Sequence, residues 1–425
     1  MGIVIRDALA VLPGEKGPKT GRHSIFIEGS LIAGIDAAPE GFTGDEVIDG
    51  KDRLVIPGLI NAHTHSYMSL MRNCADDLPF MDWLFSRVSP IEERMSGEDA
   101  YWGSLLSQIE MIRSGTTTFN DMQMNIHQTT RAVKESGMRA VICRGLVGDT
   151  CDRNDRRLRE AFEEMEDGRD CSRLTFLLGP HAPYTCGPDY LRMVSNVAKE
   201  NSLGIHIHLS ESVAEIENMR RDHGCTPIEY ALKAGVFDVP AVAAHCVQLE
   251  GDDIPILAEN DVSVVTNPAS NMKLGNGFAP VPELMEAGVN VCLGTDGAAS
   301  NNAQNMFREM SHLALIHKGT HMTPQCISAA EVFHAATLAG AKALRLNTGS
   351  IETGRKADLV ILRLDCASMM PGNNPLAALC YSADGSETDT VIIDGKIVMR
   401  GRELKTIDEE RVCYEIRQIC QRLGL

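Results

Sequence analysis

The sequence predicts an α/β protein in which a (β/α)8 TIM-like barrel is joined to a small β domain formed by both chain ends. Three observations lead to this fold class. Eight short apolar runs alternate with helix-like stretches through the middle of the chain, as in parallel β/α units. Both ends are rich in β-branched residues that are interrupted by glycine, proline and aspartate. Polar residues follow the apolar runs, which is where a barrel places its functional groups.

The composition is that of a soluble globular protein. Of the 425 residues, 44% are hydrophobic and 23% are charged, and no apolar run reaches the ~18 residues that would predict a membrane span. The N-terminus lacks the basic and apolar stretches of a secretory signal, and the thirteen cysteines include no C-x-x-C pair. We therefore expect a cytoplasmic protein whose thiols are reduced and which has no membrane partner.

The overall charge argues against one class of partner. Forty basic side chains stand against 58 acidic ones, for a net charge of −18. A protein that binds nucleic acid along its phosphate backbone needs the opposite balance, so we expect no nucleic-acid partner. The number of subunits is left open, with a homo-oligomer among the alternatives.

The two chain ends share a β-rich texture. Residues 1–57 and 354–425 each contain an I-D-G-K stretch, at 48–51 and 393–396, and a terminal helix is predicted near 408–423. We expect both segments to pair into one small β domain, with residues 58–353 forming the barrel. Within the barrel, helices are predicted over 100–115 and 189–204.

The apolar runs of the barrel end in side chains that can bind metal, protons or substrate. In a barrel these side chains gather at the C-terminal ends of the strands. The polar residues that follow the runs are, in order, His63 and His65, Asp121, Arg144, His181, His208, His245, Asn267 and Asp296.

Four of these residues are candidate ligands of one divalent metal. His63 and His65 are two residues apart on a strand, so both imidazoles point to the same side. With His208 and Asp296 they form a nitrogen and oxygen set that suits Zn²⁺, Fe²⁺ or Mn²⁺. His206 could replace His208, although it should lie one layer deeper as a core histidine. No strand ends in a lysine that could bridge a second ion, which favours a single metal.

Two further residues are candidates for proton transfer. Glu211 follows the strand that carries His208, and a carboxylate there can act as general acid and base. The alternative is a helix N-terminal glutamate, since S-E-S begins a helix-like stretch. His245 can orient water, and Asp296 can accept a proton during attack. Because a divalent ion lowers the pKa of bound water from 15.7 to about 7, the set predicts a hydrolytic enzyme.

The motifs, taken together, resemble those of the amidohydrolase superfamily. PGLINAHTH, GPHAPYTC, HIHLSES, AAHC, NPASNMKLGNG and LGTDGAASNN occur in order along the chain. Among the members of that superfamily, the chain is most similar to the 5-methylthioadenosine/S-adenosylhomocysteine deaminases. The resemblance implies a distorted (β/α)8 barrel with a β-sandwich-like domain, one metal that is usually zinc, and the ligand and proton-transfer roles described above.

The resemblance also implies which residues bind a nucleoside. Glu92 would accept hydrogen bonds from the two ribose hydroxyls, with Trp83 as a wall of the pocket. Arg144 and His181 would contact the nucleoside, and Ser300 would face a purine ring nitrogen. The alternative for Glu92 is a solvated glutamate in a charged helix, and for Trp83 ordinary core packing.

A loop arginine is the last candidate for substrate binding. The R-N-D-R-R-L-R-E loop offers Arg156 or Arg157 for a substrate carboxylate, and the sequence does not decide between them.

The predicted reaction is hydrolytic deamination of an adenosine-type nucleoside to the inosyl product and ammonia. Candidate substrates are 5′-methylthioadenosine, S-adenosylhomocysteine, 5′-deoxyadenosine and adenosine. One alternative is another aminohydrolase or chlorohydrolase of the superfamily, acting on a purine, pterin, pyrimidine or triazine ring. A second alternative is a non-catalytic scaffold that binds a metal or ligand. The zincin H-E-x-x-H, the G-x-S-x-G of serine hydrolases, and the P-C-x-x-C of nucleic-acid deaminases are absent.

Overall fold

A computed structural model describes residues 2–15 and 17–425 of the chain. Its strands are β1 (Gly2–Leu12), β2 (Lys19–Glu28), β3 (Leu31–Ile35), β4 (Glu46–Asp49), β5 (Arg53–Pro57), β6 (Leu59–Thr64), β7 (Thr116–Gln123), β8 (Arg139–Leu146), β9 (Leu174–Phe176), β10 (Gly179–Pro180), β11 (Ile205–Leu209), β12 (Ala241–His245), β13 (Ser263–Thr266), β14 (Asn290–Leu293), β15 (Leu359–Arg363), β16 (Thr388–Ile393), β17 (Lys396–Arg400) and β18 (Glu403–Leu404).

The helices lie mostly between the barrel strands. They are α1 (Phe80–Asp82), α2 (Ser89–Glu92), α3 (Gly97–Arg113), α4 (Ile126–Ser136), α5 (Arg156–Glu166), α6 (Pro188–Glu200), α7 (Val213–His223), α8 (Pro227–Lys233), α9 (Asp253–Glu259), α10 (Pro268–Lys273), α11 (Val281–Glu286), α12 (Met306–Thr320), α13 (Ala329–Ala335), α14 (Leu338–Ala343), α15 (Pro375–Tyr381) and α16 (Glu409–Leu423). Two 3₁₀ segments span Ser66–Met71 and Val236–Asp238, and the π-helical segment Trp83–Val88 joins α1 to α2.

The two chain ends form one mixed sheet, as the sequence predicts. The strand order is β18-β17-β16-β15-β5-β1-β2-β3, with β4 also paired to β1. The chain ends meet where β5 and β15 run antiparallel, with Arg53 opposite Arg363 and Pro57 opposite Leu359. Strands from the two ends of the sequence therefore belong to one structural unit.

The two faces of this sheet bury different cores. On β5, Leu54 and Ile56 belong to the large core shared with the barrel, whereas Val55 belongs to the core of the small domain. This is the period of two that a strand buried on both faces requires. The edge at β3 turns back toward β15, because the Ile32 amide donates to the Arg355 carbonyl at 2.9 Å. The β3 edge of the sheet thus contacts the segment that leads into β15.

The barrel has the eight predicted strand positions, with a distortion at the fourth. One parallel sheet contains β6, β7, β8 and the short strands β9 and β10, and another contains β11 to β14. The two sheets are joined where the His206 amide donates to the Leu178 carbonyl at 2.9 Å. The ring closes where the Asp296 amide donates to the His63 carbonyl at 3.0 Å. The single fourth run of the sequence is thus two short pieces in the structure.

The alternation of side chains on β11 explains how the barrel presents histidines inward. Ile205, Ile207 and Leu209 point outward into the large apolar core. His206 and His208 occupy the positions between them and point into the barrel, where they contact other histidines. Burying the apolar residues on the outside therefore fixes which way both imidazoles face.

The small domain is held to the barrel by a buried ion-pair network at the N-terminal end of β8. The Arg139 guanidinium donates from Nε to Asp358 at 2.6 Å and from Nη2 to Asp394 at 3.0 Å. Lys356 also contacts Asp394, at 3.0 Å. Because Arg139 and Asp358 are both buried, this network replaces water as the partner of their charges.

The helices predicted over 100–115, 189–204 and 408–423 correspond to α3, α6 and α16. The first of them begins at a capping box formed by Ser96 and Asp99. The domain limits 1–57, 58–353 and 354–425 remain our proposal for the division of the chain. Over the described residues, no helix combines the length and the apolar character that crossing a membrane requires.

Candidate active site

Three histidines and an aspartate converge at the C-terminal end of the barrel. The Nε2 atoms of His65 and His208 are 3.3 Å apart. Asp296 Oδ1 lies 3.4 Å from His63 Nε2 and 3.5 Å from His65 Nε2. Tetrahedral ligands at 2.0–2.1 Å from zinc are separated from one another by about 3.3 Å. The Nε2 of His63 is buried without a hydrogen-bond partner, so these residues fit a metal ion.

Two of the imidazoles are oriented by backbone carbonyls. His65 Nδ1 donates to the Met122 carbonyl at 2.9 Å, and His208 Nδ1 donates to the His181 carbonyl at 2.7 Å. Because a carbonyl can only accept, Nδ1 carries the proton in both rings and Nε2 presents its lone pair to the centre. A hydrogen bond from the other ring nitrogen to a backbone carbonyl is typical of histidines that bind metals.

His63 is oriented by another histidine. Its Nδ1 lies 3.0 Å from Nε2 of His206, which is fully buried one layer deeper in the barrel. The structure thus places His206 behind His63. This is the position of the deeper core histidine that the sequence predicts for His206. Burial lowers the pKa of His63 to about 4, and it lowers the pKa of His206 well below its usual value. Both rings are therefore neutral at neutral pH, the form in which imidazole binds a metal.

Asp296 is held with one oxygen toward the histidines. Its Oδ2 accepts from Ser270 Oγ at 2.6 Å and from Ser300 Oγ at 2.9 Å, and its Oδ1 accepts from the Gly297 amide at 2.8 Å. The residue has a φ of 63°, which is uncommon outside glycine and turns the side chain back into the barrel. Burial raises the pKa of Asp296, but His63 and the other histidines outweigh it, so the pKa is well below its usual range.

Glu211 and His245 face each other beside this group. His245 Nδ1 donates to Asn271 Oδ1 at 2.9 Å, and its Nε2 lies 3.6 Å from Glu211 Oε2. Burial, followed by the charge of Asp296, raises the pKa of Glu211 well above its usual value. The ligand atoms of His245, His63 and Asp296 lie within 4.8 Å of one another, so His245 is also close enough to contact a metal.

A cavity opens beside these residues. Its lining consists of His65, Tyr67, Met68, Phe80, Trp83, Leu84, Glu92, Met122, Gln123, Met124, Gly145, His181, Tyr184, His208, Glu211, His245 and Asp296. The wall formed by the segment 80–92 is largely apolar, and Glu92 contributes a carboxylate to it. Tyr67 donates a hydrogen bond to Glu92 Oε1, while burial raises the pKa of Glu92. The cavity therefore combines the Glu92 carboxylate and several histidines with an apolar wall that includes Phe80, Trp83 and Leu84.

Comparison with known proteins agrees with this geometry. Residues 54–398 match the model of the amidohydrolase family. The chain belongs to the amidohydrolase family. A 5-methylthioadenosine/S-adenosylhomocysteine deaminase of Thermoanaerobacter pseudethanolicus is 45% identical, over 100% of this chain and 99% of its own. A 5′-deoxyadenosine deaminase of Methanocaldococcus jannaschii is 46% identical, over 93% of this chain and 94% of its own. The family predicted from the motifs is confirmed.

Solved structures of other proteins share the fold of this amidohydrolase over almost its whole length. An adenosine deaminase of Xanthomonas campestris with bound zinc has a TM-score of 0.93 and 31% identity, and covers 99% of this chain and 98% of its own. A zinc-bound atrazine chlorohydrolase of Arthrobacter aurescens has a TM-score of 0.91 over 98% of this chain and 99% of its own. Its 23% identity shows the shared fold alone.

Some of the predicted substrate-binding residues line the cavity, and others do not. His181 and Trp83 line the cavity together with Glu92. The Trp83 indole donates to the Ala299 carbonyl at 3.2 Å, which fixes the ring against the wall. Burial lowers the pKa of His181 to about 4, so its ring is neutral. Ser300 lies behind Asp296, to which its hydroxyl donates, and its predicted contact with a purine nitrogen stays a prediction.

Arg144 is turned away from the cavity. Its guanidinium contacts Glu160 at 2.5 Å and Glu164 at 2.7 Å, both on α5. Both glutamates are partly shielded from solvent, and Glu164 also accepts from the Ile126 amide at 3.1 Å. Contact between Arg144 and a nucleoside therefore stays a prediction, and it requires at least one of these ion pairs to open.

Arg156 and Arg157, which were predicted in a loop, are instead the first two residues of α5, because Asp155 caps the helix there, and their surroundings differ. Arg156 is 76% exposed at its side chain and lies 3.8 Å from Glu160. Arg157 Nη1 donates to the carbonyl of Gly145, a residue of the cavity wall, at 3.3 Å. The charge of Arg157 also contributes to the lowered pKa of His181, so it lies near the cavity. Of the two alternatives, Arg157 is in the better place to meet a substrate.

Sequence reasoning missed the uncharged residues that orient the functional groups. Tyr67, Ser270, Asn271 and Asn276 each hydrogen bond to a candidate catalytic or binding residue. Ser270, Asn271 and Asn276 lie in the N-P-A-S-N-M-K-L-G-N-G stretch. That stretch resembles the family, but the resemblance alone assigns no role to these three side chains. The only local signal was that run of small and amide-bearing residues after a strand.

Proposed function

We propose that this amidohydrolase removes the 6-amino group of adenosine-type nucleosides by hydrolysis, releasing ammonia and the inosyl product. The observation that carries the proposal is the arrangement of the cavity. One cavity is lined by the Glu92 carboxylate, which we take as the anchor for the ribose, by Glu211 and by the ring of Trp83. A carboxylate can accept hydrogen bonds from both hydroxyls of a ribose, while an apolar wall suits an uncharged purine.

We propose zinc as the metal, held by His63, His65, His208 and Asp296, with Fe²⁺ and Mn²⁺ as alternatives. Zinc is supported by the spacing of the ligand atoms and by the zinc in the solved adenosine deaminase of Xanthomonas campestris. When bound, such an ion lowers the pKa of a coordinated water to about 7 and so makes a nucleophile available at neutral pH. Specificity for one of the three metals is a matter for metal analysis of the purified protein.

We assign the remaining roles from the positions of the side chains. Glu211 accepts a proton from the attacking water as a carbon–oxygen bond forms at carbon 6, and it delivers that proton to the neighbouring ring nitrogen. His245 holds the water in line through Nε2, because its Nδ1 is committed to Asn271. Asp296 takes the second proton of the water and passes it to the amino group, which leaves as ammonia when the carbon–nitrogen bond breaks.

The substrate range is expected to include 5′-methylthioadenosine, S-adenosylhomocysteine, 5′-deoxyadenosine and adenosine. Full-length relatives that are named for the first three compounds support this range. Arg157 is our candidate for contact with a charged 5′ substituent, since it lies beside the cavity wall at Gly145. The cytoplasmic location and the subunit number stay predictions from the sequence.

The decisive experiment is an ammonia-release assay with zinc-, iron- and manganese-loaded protein on the four nucleosides. We expect release from at least one nucleoside and its loss in Glu211→Gln, with the metal content unchanged. A scaffold without catalysis would release no ammonia, and a chlorohydrolase would instead release chloride from a chlorinated triazine. Either outcome, with fully metal-loaded protein, would refute the deaminase proposal.

A further inference from the structure

One side chain contacts the buried Glu211 from the loop that follows α10. Asn276 Nδ2 donates to Glu211 Oε1 at 3.1 Å, and both side chains are buried. The loop is fixed on both sides of the amide. The Asn276 backbone N–H donates to the Asn271 carbonyl at 2.9 Å, and its carbonyl accepts from Gln248 at 2.6 Å. The side-chain amide is therefore held in place before any substrate arrives.

The two oxygens of Glu211 have different surroundings. Oε1 accepts from Asn276, while Oε2 lies 3.6 Å from His245 Nε2. An amide N–H can donate and cannot accept, so the oxygen bound to it is kept as an acceptor. A proton taken up by the carboxyl group is then directed to the other oxygen.

We propose that Asn276 is the positioning residue for Glu211, which selects Oε2 as the oxygen that takes and returns the proton. This inference rests on the proposed deaminase function. Asn276 itself touches neither substrate nor metal in this assignment, and it acts only through the orientation of Glu211.

The same segment orients the partner of Glu211. Asn271, on α10, accepts from His245 Nδ1 at 2.9 Å, which leaves His245 Nε2 facing Glu211 Oε2. The loop can place both amides because Gly275 adopts a φ of 70°, a backbone conformation that glycine reaches without strain. One short stretch of chain therefore aligns both members of the proton-transfer pair.

Three substitutions at position 276 separate hydrogen bonding from packing. Asn276→Asp keeps the size of the side chain but replaces the donor by a second carboxylate next to Glu211. Asn276→Ser keeps a donor on a small side chain, and Asn276→Ala is nearly the same size without one. Proton transfer by a positioned side chain contributes typically 10²–10⁴-fold, so we expect kcat to fall about 10- to 100-fold in Asn276→Ala. We expect kcat to decrease in the order wild type, Asn276→Ser, Asn276→Ala, Asn276→Asp. KM and metal content should not change.

The control is Asn260→Ala, which removes an asparagine amide that contacts a backbone carbonyl at 2.8 Å, in the turn after α9. It should leave kcat as in the wild type. Circular dichroism and metal analysis establish which variants are folded and loaded. If Asn276→Asp does not fold, the comparison of Ser with Ala decides.

Two outcomes would overturn the inference while leaving the proposed function intact. In the first, Asn276→Asp retains wild-type kcat and only Ala is impaired, as a space-filling role requires. In the second, Ser and Ala are equal in kcat, or the loss appears in KM instead. An inactive wild type on every nucleoside would instead refute the proposed function, so the two failures are distinguishable.

Discussion

At the scale of single residues, each functional carboxylate has one oxygen committed to a buried donor. The pairs are Glu92 with Tyr67, Glu211 with Asn276, and Asp296 with Ser270. Asp296 also accepts at its other oxygen, from the Gly297 amide, and that oxygen is the one that lies near His63 and His65. Buried hydrogen bonds of this kind fix a rotamer that would otherwise be free, so orientation is set by neutral side chains.

Removing the anchor should affect substrate binding far more than the metal. Glu92→Ala eliminates the carboxylate that we expect to meet the ribose hydroxyls, and hydrogen bonds to a charged group contribute about 1.5–3 kcal/mol. We therefore expect KM for adenosine-type nucleosides to rise roughly 10- to 150-fold, with metal content unchanged.

A substrate without both ribose hydroxyls is the matched control for this variant. Wild type and Glu92→Ala should have similar KM values for a 2′,3′-dideoxynucleoside, because the contact is missing in both. An equal loss on the ribo- and dideoxynucleosides would contradict the assignment of Glu92.

Residue types were easier to predict from the sequence than side-chain directions. The histidines and Asp296 were predictable because each follows an apolar run, and the barrel brings the ends of its strands together. Arg144 also ends such a run, yet its guanidinium meets Glu160 and Glu164. That contact depends on how α5 packs against β8, which no local pattern in the sequence encodes. For the same reason, the sequence could not choose between Arg156 and Arg157.

At the scale of elements, β8 is attached at its N-terminal end to the small domain. Arg139→Met would leave the buried Asp358 without its partner. Breaking a buried pair from one side typically costs 3–5 kcal/mol, and we expect about that loss in the free energy of unfolding by urea. Arg153→Met, which removes an exposed pair with Glu200, is the control and should change stability little. Equal effects of the two variants would show that the network is not a structural junction.

The same junction predicts a pH dependence. Burial raises the pKa of Asp394, but Lys356 and Arg139 outweigh it, so the folded pKa lies below the usual value. A lowered carboxylate pKa contributes stability above the unfolded value, about 3.9, and this stability is lost as pH falls through the folded value. The stability difference between wild type and Asp394→Asn should be constant from about pH 5 to 7 and shrink below about pH 4. A difference that grows on acidification would contradict this sign.

Most elements were predictable, and the fourth barrel strand shows why one was not. The T-F-L-L-G-P-H-A-P-Y run has the composition of a single strand, but the structure divides it into β9 and β10. The division falls at Leu177 and Leu178, where the Leu178 amide donates to the Gly204 carbonyl on the β11 side, and pairing with β8 resumes at Gly179 opposite Gly145. The pairing of the two chain ends was predictable from their shared texture, although the register of β5 against β15 was not.

At the scale of the whole molecule, the proposed metal site connects strands from opposite sides of the barrel. Its proposed ligands come from β6 and the residue after it, from β11 and from the turn after β14, so only the folded chain assembles them. A ligand present at 100 times its Kd stabilises the native state by about 2.7 kcal/mol. Chelation should therefore lower the Tm at a fixed heating rate, and added zinc should restore it in a saturable manner. His208→Ala should show no zinc-dependent rise in Tm, and an identical Tm for apo- and zinc-loaded wild type would contradict the proposed site.

The pairing of β5 with β15 also has a consequence for the order of synthesis. Strands β1 to β5 leave the ribosome early, whereas β15 to β18 emerge only after the entire barrel. During that interval the edge of β5 (Arg53–Pro57) that later pairs with β15 has no partner. An unpaired strand edge can capture other chains. Nascent chains released before β15 would thus expose an open sheet edge, and a chaperone that covers this edge would act at the last stage of translation.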